Sequence, residues 1–76
     1  MNAARRKSLE AIWAAIDQQR QELATIIAEE QEAFDNLPES LQGEKGQAME
    51  EGISTLTDAE GELDSALENL TTITQG

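Results

Sequence analysis

Large apolar residues recur every seven positions in both halves of the chain, and this repeat limits the possible folds more than any other feature. The repeat consists of Leu9, Ile16 and Leu23 in the first half, and Met49, Leu56, Leu63 and Leu70 in the second. Such a repeat places one apolar stripe along an α-helix that packs on another helix. Between the halves stands Pro38, which cannot continue a helical hydrogen-bond ladder. We therefore predict an all-α fold, an antiparallel two-helix hairpin that resembles a coiled coil.

Folding the chain back at Pro38 brings the two stripes together in one register. The numbers of facing residues then add up to 79, which pairs Leu9 with Leu70, Ile16 with Leu63 and Leu23 with Leu56, and likewise Ile12 with Leu67 and Ile26 with Ile53. We predict a single domain with a first helix over residues 3–36, a turn over 37–43, a second helix over 44–73 and a frayed tail over 74–76.

Composition excludes several kinds of site. The chain has 76 residues with no Cys and no His, which excludes disulfides, zinc sites and a histidine base. No apolar run approaches the roughly 20 residues that span a bilayer, and no apolar signal core follows the basic start. A helical rod also lacks a cleft that could shift the pKa of a carboxyl group. We therefore expect a cytoplasmic protein that is not an enzyme, with no cofactor, no metal and no catalytic residue.

Charge is distributed unevenly along the chain, whose net charge is −11. Residues 1–20 hold four basic and two acidic residues, a net charge of +2, whereas residues 21–76 hold fourteen acids and one Lys, a net charge of −13. Such a surface repels nucleic acid and anionic membranes and attracts basic proteins. We expect Arg5, Arg6 and Lys7 to lie beside Glu68 and Asn69, where they meet the negative end of the second helix.

The acids gather around the predicted turn, and this segment is our candidate site for a protein partner. We call it the acidic turn; it comprises Glu29, Glu30, Glu32, Asp35, Glu39, Leu41, Glu44, Glu50 and Glu51. A basic surface on the partner would complement it. The alternative is that these acids only keep the surface solvated and prevent aggregation.

Self-association is predicted from the residues that flank the apolar repeat. A chain this short buries little surface alone, and a two-helix hairpin cannot cover every large side chain it carries. We expect a second copy to cover these residues, most simply in a dimer that forms a four-helix bundle. The predicted contacts are Trp13, Ile27, Phe34, Gly52, Ala59 and Ala66. Alternatively, Trp13 folds over Ala66 within one hairpin. Gln19 is expected to face Glu60, either in a central polar layer or as a solvated position at the rim.

The turn region also carries a resemblance to known sequences. The segment 35–51, which reads Asp-Asn-Leu-Pro-Glu-Ser-Leu-Gln at its start, and the opening Asn2-Ala-Ala-Arg-Arg-Lys7 resemble small acidic proteins of bacteriophage and prophage genomes. Gly52 and Gly61 depart from that pattern, since helix formers are expected there. The resemblance implies an accessory protein that acts on host machinery or host defence, and it carries no activity over to particular residues.

Three functions are compatible with the sequence. The first is a non-catalytic protein-binding module that docks through the acidic turn and inhibits a host or defence protein. The second is an acidic nucleic-acid mimic that blocks a DNA- or RNA-binding enzyme, although the basic first turn of the chain does not suit it. The third is a purely structural coiled coil or assembly protein. Steep salt dependence of the complex would distinguish the mimic.

Overall fold

Two long helices joined by a short turn make up the fold. The computed structural model describes residues 1–75, with helix α1 at Ala3–Asp35, a 3-10 helix at Glu39–Leu41 and helix α2 at Glu44–Gln75. The helices lie antiparallel in a rod of 59 × 14 × 12 Å, and residues 1–75 contain no strand. The predicted all-α hairpin is confirmed. Helix α2 continues through Gln75, two residues past the predicted end, and Gly76 lies outside the described residues.

Local hydrogen bonds fix both ends of α1 and the turn. Asn2 caps the start, because its Oδ1 accepts a 2.8 Å hydrogen bond from the Arg5 N–H. Asn36 ends the helix, and Pro38 follows in an extended conformation with ψ at 146°. The Leu41 N–H donates to the Pro38 carbonyl at 2.8 Å, which closes the 3-10 turn. The chain therefore reverses direction where the proline predicts it.

The contact face between the helices follows intervals of three and four residues. On α1 its half-buried side chains are Leu9, Trp13, Ile16, Arg20, Leu23, Ile27 and Phe34. On α2 its members are Gly46, Met49, Ile53, Leu56, Glu60, Leu63, Leu67, Leu70 and Thr74. The Trp13 indole N–H donates to the Leu67 carbonyl, so the numbers of facing residues add up to about 80. The register lies within one residue of the predicted value of 79.

The second row of this face differs from the prediction. We expected Ile12 and Ile26 to face α2, but each leaves 49% of its surface exposed, while Trp13 and Ile27 are half-buried. Both rows fit the repeat that contains Leu9, because Ile12 follows Leu9 by three residues and Trp13 follows it by four. The four-residue choice prevails because it allows the Trp13 indole to bond α2. The same rotation of α1 brings Arg20, rather than Gln19, towards Glu60.

The core of the single hairpin is thin. Leu67 is the sole large apolar side chain in residues 1–75 that is buried, with 6% of its surface exposed, and its carbonyl accepts a hydrogen bond from Trp13. A compact protein of 8.3 kDa would expose about 4,600 Å². The hairpin exposes 5581 Å². About 1,000 Å² of additional surface is therefore available for contacts with other molecules.

Candidate functional site

The acidic turn forms one end of the rod, and all of its residues are exposed. Glu29, Glu30, Glu32 and Asp35 lie on the last turns of α1, Glu39 and Leu41 on the 3-10 helix, and Glu44, Glu50 and Glu51 on the start of α2. Leu41 leaves 45% of its surface exposed among these acids. The hairpin thus brings together, at one end, side chains that are up to 22 positions apart in sequence.

The charge of this end is concentrated and uncompensated within the described chain. Residues 29–51 hold eight acids and Lys45, a net charge of −7. Both ion pairs found in residues 1–75 involve Arg20, so neither involves the acidic turn. The last turn of α1 has no basic residue, although the negative end of a helix dipole favours one. The acids of α1 therefore lie where the helix itself disfavours them.

A shallow depression adjoins the exposed leucine. Its lining consists of Ser40, Leu41, Gly43, Glu44 and Lys45, and its volume is about 300 Å³. The Gln42 side-chain amide donates to the Leu37 carbonyl at 3.0 Å, which holds the floor of the turn in place. An apolar side chain in an acidic surround can receive a partner that offers an apolar group with basic neighbours.

A polar cluster crosses the contact face near the middle of the rod. Arg20 Nη2 lies 3.0 Å from Asp17 Oδ1, and Arg20 Nε lies 3.3 Å from Asp64 Oδ1. The hydrogen bond to Asp17 raises the pKa of the Arg20 guanidinium, desolvation opposes this, and the charges of Asp17, Asp64 and Glu60 raise it further. The cluster links α1 to α2 at one position and favours the observed register, although Asp64 is exposed and such an ion pair is weak.

Sequence reasoning missed Arg20, although a signal was present. Arg20 is the only basic residue between Lys7 and Lys45, and it stands four residues after Ile16 in the repeat that includes Trp13 and Ile27. A single basic residue at a contact position between two acidic helices indicates an ion pair that joins the helices. Of the two expectations for Gln19, the solvated position is the one found, because Gln19 is exposed.

Trp13 has its polar group bound within the hairpin. Its Nε1 donates to the Leu67 carbonyl at 3.1 Å and to Thr71 Oγ1 at 3.0 Å. Ile27 and Phe34 are half-buried on the same contact face, and Phe34 approaches Gly46, where its Cε2 would lie 3.9 Å from an added Cβ. That these three side chains also contact a second copy stays a prediction.

The small residues predicted for self-association lie beside the contact face of α2. Ala59 and Ala66 are half-buried, whereas Gly52 is exposed, with open space around the position of an added Cβ. Their groove is therefore accessible along one side of the rod.

The basic start of the chain lies at the other end of the rod. Arg5 and Lys7 are exposed and Arg6 is half-buried. Within residues 1–75 none of the three forms an ion pair, so the expected pairing with Glu68 is not found there. Arg6 Nε is shielded from solvent and has no hydrogen-bond partner among the described residues. The favourable interaction is thus limited to the helix dipole of α2 and general attraction to its acids.

Comparisons with known proteins identify no relative of this chain. No protein-family model, curated protein or solved structure matches the chain. No group of three or more acidic side chains within residues 1–75 has the arrangement needed to hold a metal ion. Neither described helix has an apolar stretch long enough to cross a membrane. The functional argument therefore depends on the geometry and charge of the rod.

Proposed function

We propose that this protein is a non-catalytic binding module that docks on a protein with a basic surface through its acidic turn. The observation that carries the proposal is the net charge of −7 at the turn end of the rod, to which four acids near the C-terminal end of α1 contribute although the helix dipole disfavours them there. Acids that only kept the surface solvated would destabilise the helix less if they lay elsewhere on the rod. A partner that supplies basic groups would turn this unfavourable charge into binding energy.

Leu41 supplies the second element of the proposed interface. Interfaces combine a small apolar centre with a polar rim, and charge at the rim mainly sets orientation and association rate. Leu41 stands beside the shallow depression, with Glu39 and Glu44 close to it in sequence. We therefore assign Leu41 the central contact and the surrounding acids the rim. The resemblance to phage proteins extends the proposal to a host or defence protein that the module inhibits.

The proposal and nucleic-acid mimicry differ in the part of the rod that would contact the partner. A mimic would need carboxylates spread along its length to imitate successive phosphates. Here the turn segment 29–51 carries most of the charge, and the opposite end carries Arg5, Arg6 and Lys7. Eight of the sixteen acids lie outside this segment, between Glu10 and Glu68, so a binding module is favoured by the net charge, which is most negative at the turn, and not by a lack of carboxylates elsewhere.

Capture experiments with matched variants test the proposal. The immobilised protein is incubated with bacterial lysate, and bound proteins are identified by mass spectrometry. The triple variant Glu39→Gln, Glu44→Gln, Glu50→Gln removes three charges from the turn. The control, Glu10→Gln, Glu62→Gln, Glu68→Gln, removes three exposed charges elsewhere. We expect the turn variant to weaken a specific capture by about tenfold or more, and the control to change it little.

Two further measurements separate the alternatives. Leu41→Ser should weaken the same capture at both low and physiological salt, because it removes an apolar contact that salt does not screen. A mimic's complex would lose affinity steeply, on the order of 1,000-fold, between about 50 and 200 mM salt. Equal losses in the two triple variants, or no captured protein that depends on the turn, would contradict docking through the acidic turn.

A further inference from the structure

The hairpin has two dissimilar long faces. On one of them Arg20 bridges Asp17 and Asp64, and the Trp13 indole reaches Thr71. Successive residues of a helix are rotated by about 100°. Ile12 and Ile26 therefore point roughly 150° away from Asp17 on α1, and Ile73 points as far from Thr71 on α2. These isoleucines consequently lie on the face opposite to the polar cluster.

This opposite face, which we call the apolar face, carries no charge at its central positions. Its rows are Ile12, Gln19, Ile26 and Ala33 on α1, and Gly52, Ala59, Ala66 and Ile73 on α2. The two α1 isoleucines each leave 49% of their surface exposed, and Ile73 leaves 45%. In a chain where 28% of residues are charged, these eight positions form an uncharged surface along most of the rod. Such a surface is typical of a helix-packing interface.

Three of the four residues in each row of the apolar face are symmetric about one level of the rod. On α1, Ile12 and Ile26 stand seven residues to either side of Gln19. On α2, Gly52 and Ala66 stand seven residues to either side of Ala59. Gln19 and Ala59 lie at nearly the same level, because their numbers add up to 78 where facing residues add up to about 80. A single twofold axis at this level would pair Ile12 with Ile26 and Gly52 with Ala66, while Ala33 would face Arg5 and Ile73 would face Lys45 of the other copy.

We infer that a second copy of this chain packs on the apolar face in the antiparallel direction, with the twofold axis passing near Gln19 and Ala59. Ile12 of each copy then meets Ile26 of the other, and the small residues of the two α2 helices allow close approach. Symmetric dimers use the same surface on both copies, as this arrangement does. The proposed interface leaves Trp13 and Phe34 inside each hairpin, where the structure places them.

Charge determines the direction of the second copy. The turn segment 29–51 has a net charge of −7. The opposite end, residues 1–10 with 68–75, holds three basic side chains against Glu10 and Glu68, a net charge of +1. The antiparallel arrangement sets each acidic turn beside the basic end of the other copy. The parallel arrangement would place two strongly acidic ends together and would be opposed by their repulsion.

The area of the antiparallel contact suffices for a stable interface. The rows of the apolar face run for about 32 Å, which at the 14 Å width of the rod gives about 450 Å² per copy. Antiparallel contact along the full 59 Å gives about 800 Å² per copy, which equals the usual area that each partner contributes to a specific interface. It also accounts for most of the additional surface that the single hairpin exposes relative to a compact protein of its mass. The inference does not depend on docking by the acidic turn, because none of the eight residues of the apolar face belongs to the turn, which contributes only the charge that sets the direction of the second copy.

Sedimentation equilibrium with two charge-matched variants tests the inference. The variant Ile12→Glu, Ile26→Glu places two charges on the apolar face. The control, Ala14→Glu, Ala28→Glu, places the same charges at the same spacing on exposed positions that face away from it. We expect a dimer of the wild-type chain and of the control, and a dissociation constant at least about 100-fold higher for the isoleucine variant. Circular dichroism of each variant confirms that the hairpin remains folded.

Orientation is measured separately with a spin label. The chain has no cysteine, so Ser40→Cys gives one label at each turn. The turn lies about 20 residues from the proposed axis, so the two labels of an antiparallel dimer should be about 60 Å apart. A distance near 20 Å would instead show a parallel dimer and refute the assigned direction. A mass of one chain up to about 1 mM, or equal weakening in both glutamate variants, would refute the interface.

Discussion

Trp13→Phe tests whether the indole of Trp13 holds the two helices together. The substitution keeps an aromatic ring but removes the N–H that donates to the Leu67 carbonyl and to Thr71 Oγ1. The hydrogen bond contributes about 1 kcal/mol to the free energy of unfolding. The smaller ring on a half-buried side chain adds about 0.5–1 kcal/mol through lost burial and packing. We expect a total loss of about 2 kcal/mol, which lowers Tm by about 10 °C.

Urea unfolding followed by circular dichroism measures this loss, at a protein concentration low enough to keep the chain monomeric. A double-mutant cycle with Thr71→Val isolates the hydrogen bond, because valine keeps the shape of threonine without its acceptor. We expect the coupling energy between the two substitutions to be about 0.5–1 kcal/mol. Thr72→Val is the matched control. Its hydroxyl donates to the carbonyl four residues earlier, as that of Thr71 does, but it is exposed and has no contact with Trp13.

Two results would refute the reasoning about Trp13. A loss below about 0.5 kcal/mol, the usual range for surface substitutions, would show that the indole is not part of the contact face. A zero coupling energy with Thr71→Val would show that its N–H is not bound there. If the loss instead increased with protein concentration, Trp13 would contact a second copy, as the sequence predicts.

Two further predictions follow from the burial of particular residues. Leu67→Ala should lower the free energy of unfolding by about 2–4 kcal/mol, because Leu67 leaves only 6% of its surface exposed, whereas Leu56→Ala should cost about half as much, because Leu56 is half-buried. Equal losses in urea unfolding would contradict this. Gly46→Ala should raise the free energy of unfolding by about 0.5–1 kcal/mol, because alanine favours the helix and its Cβ would meet Gln42, Leu37 and Phe34 at ordinary distances of 3.7–3.9 Å. A lower thermal midpoint for Gly46→Ala would show that Phe34 cannot accommodate the added methyl group.

The sequence predicts the hairpin well because the repeat and the proline each have one interpretation. A seven-residue repeat that includes Leu9, Ile16 and Leu23 fits one helix face, and Pro38 ends the helix that precedes it. The second row of the contact face was not predictable in the same way. Rows starting at Ile12 and at Trp13 fit the repeat equally, and the choice depends on a hydrogen bond to a backbone carbonyl 54 residues away. Periodicity carries no information on that bond.

The position of the acidic turn was predictable for a related reason. Charged residues within 15 positions of a sharp reversal must gather at one end of the rod, whichever way the helices rotate about their axes. The residues that make up the apolar face, in contrast, depend on how the helices are rotated about their axes. Once Trp13 and Arg20 turn towards α2, Ile12 and Ile26 turn away from it, so periodicity alone assigned the second row of the contact face to the wrong side chains. Contact of Trp13, Ile27 and Phe34 with a second copy stays a prediction.

The rotation of α1 also explains how a chain of this size can carry two kinds of contact. The ion pairs of Arg20 and the hydrogen bonds of Trp13 join the helices on one face of the hairpin. The opposite face takes no part in these contacts. Neither set of residues overlaps with the acidic turn. Substitutions on the apolar face should therefore alter the mass of the assembly without altering capture by the turn, and neutralised acids should weaken capture strongly but the dimer only through the loss of attraction between its ends. An apolar-face variant that changed both properties would show that the partner recognises the dimer as a unit, with avidity from two turns at its opposite ends.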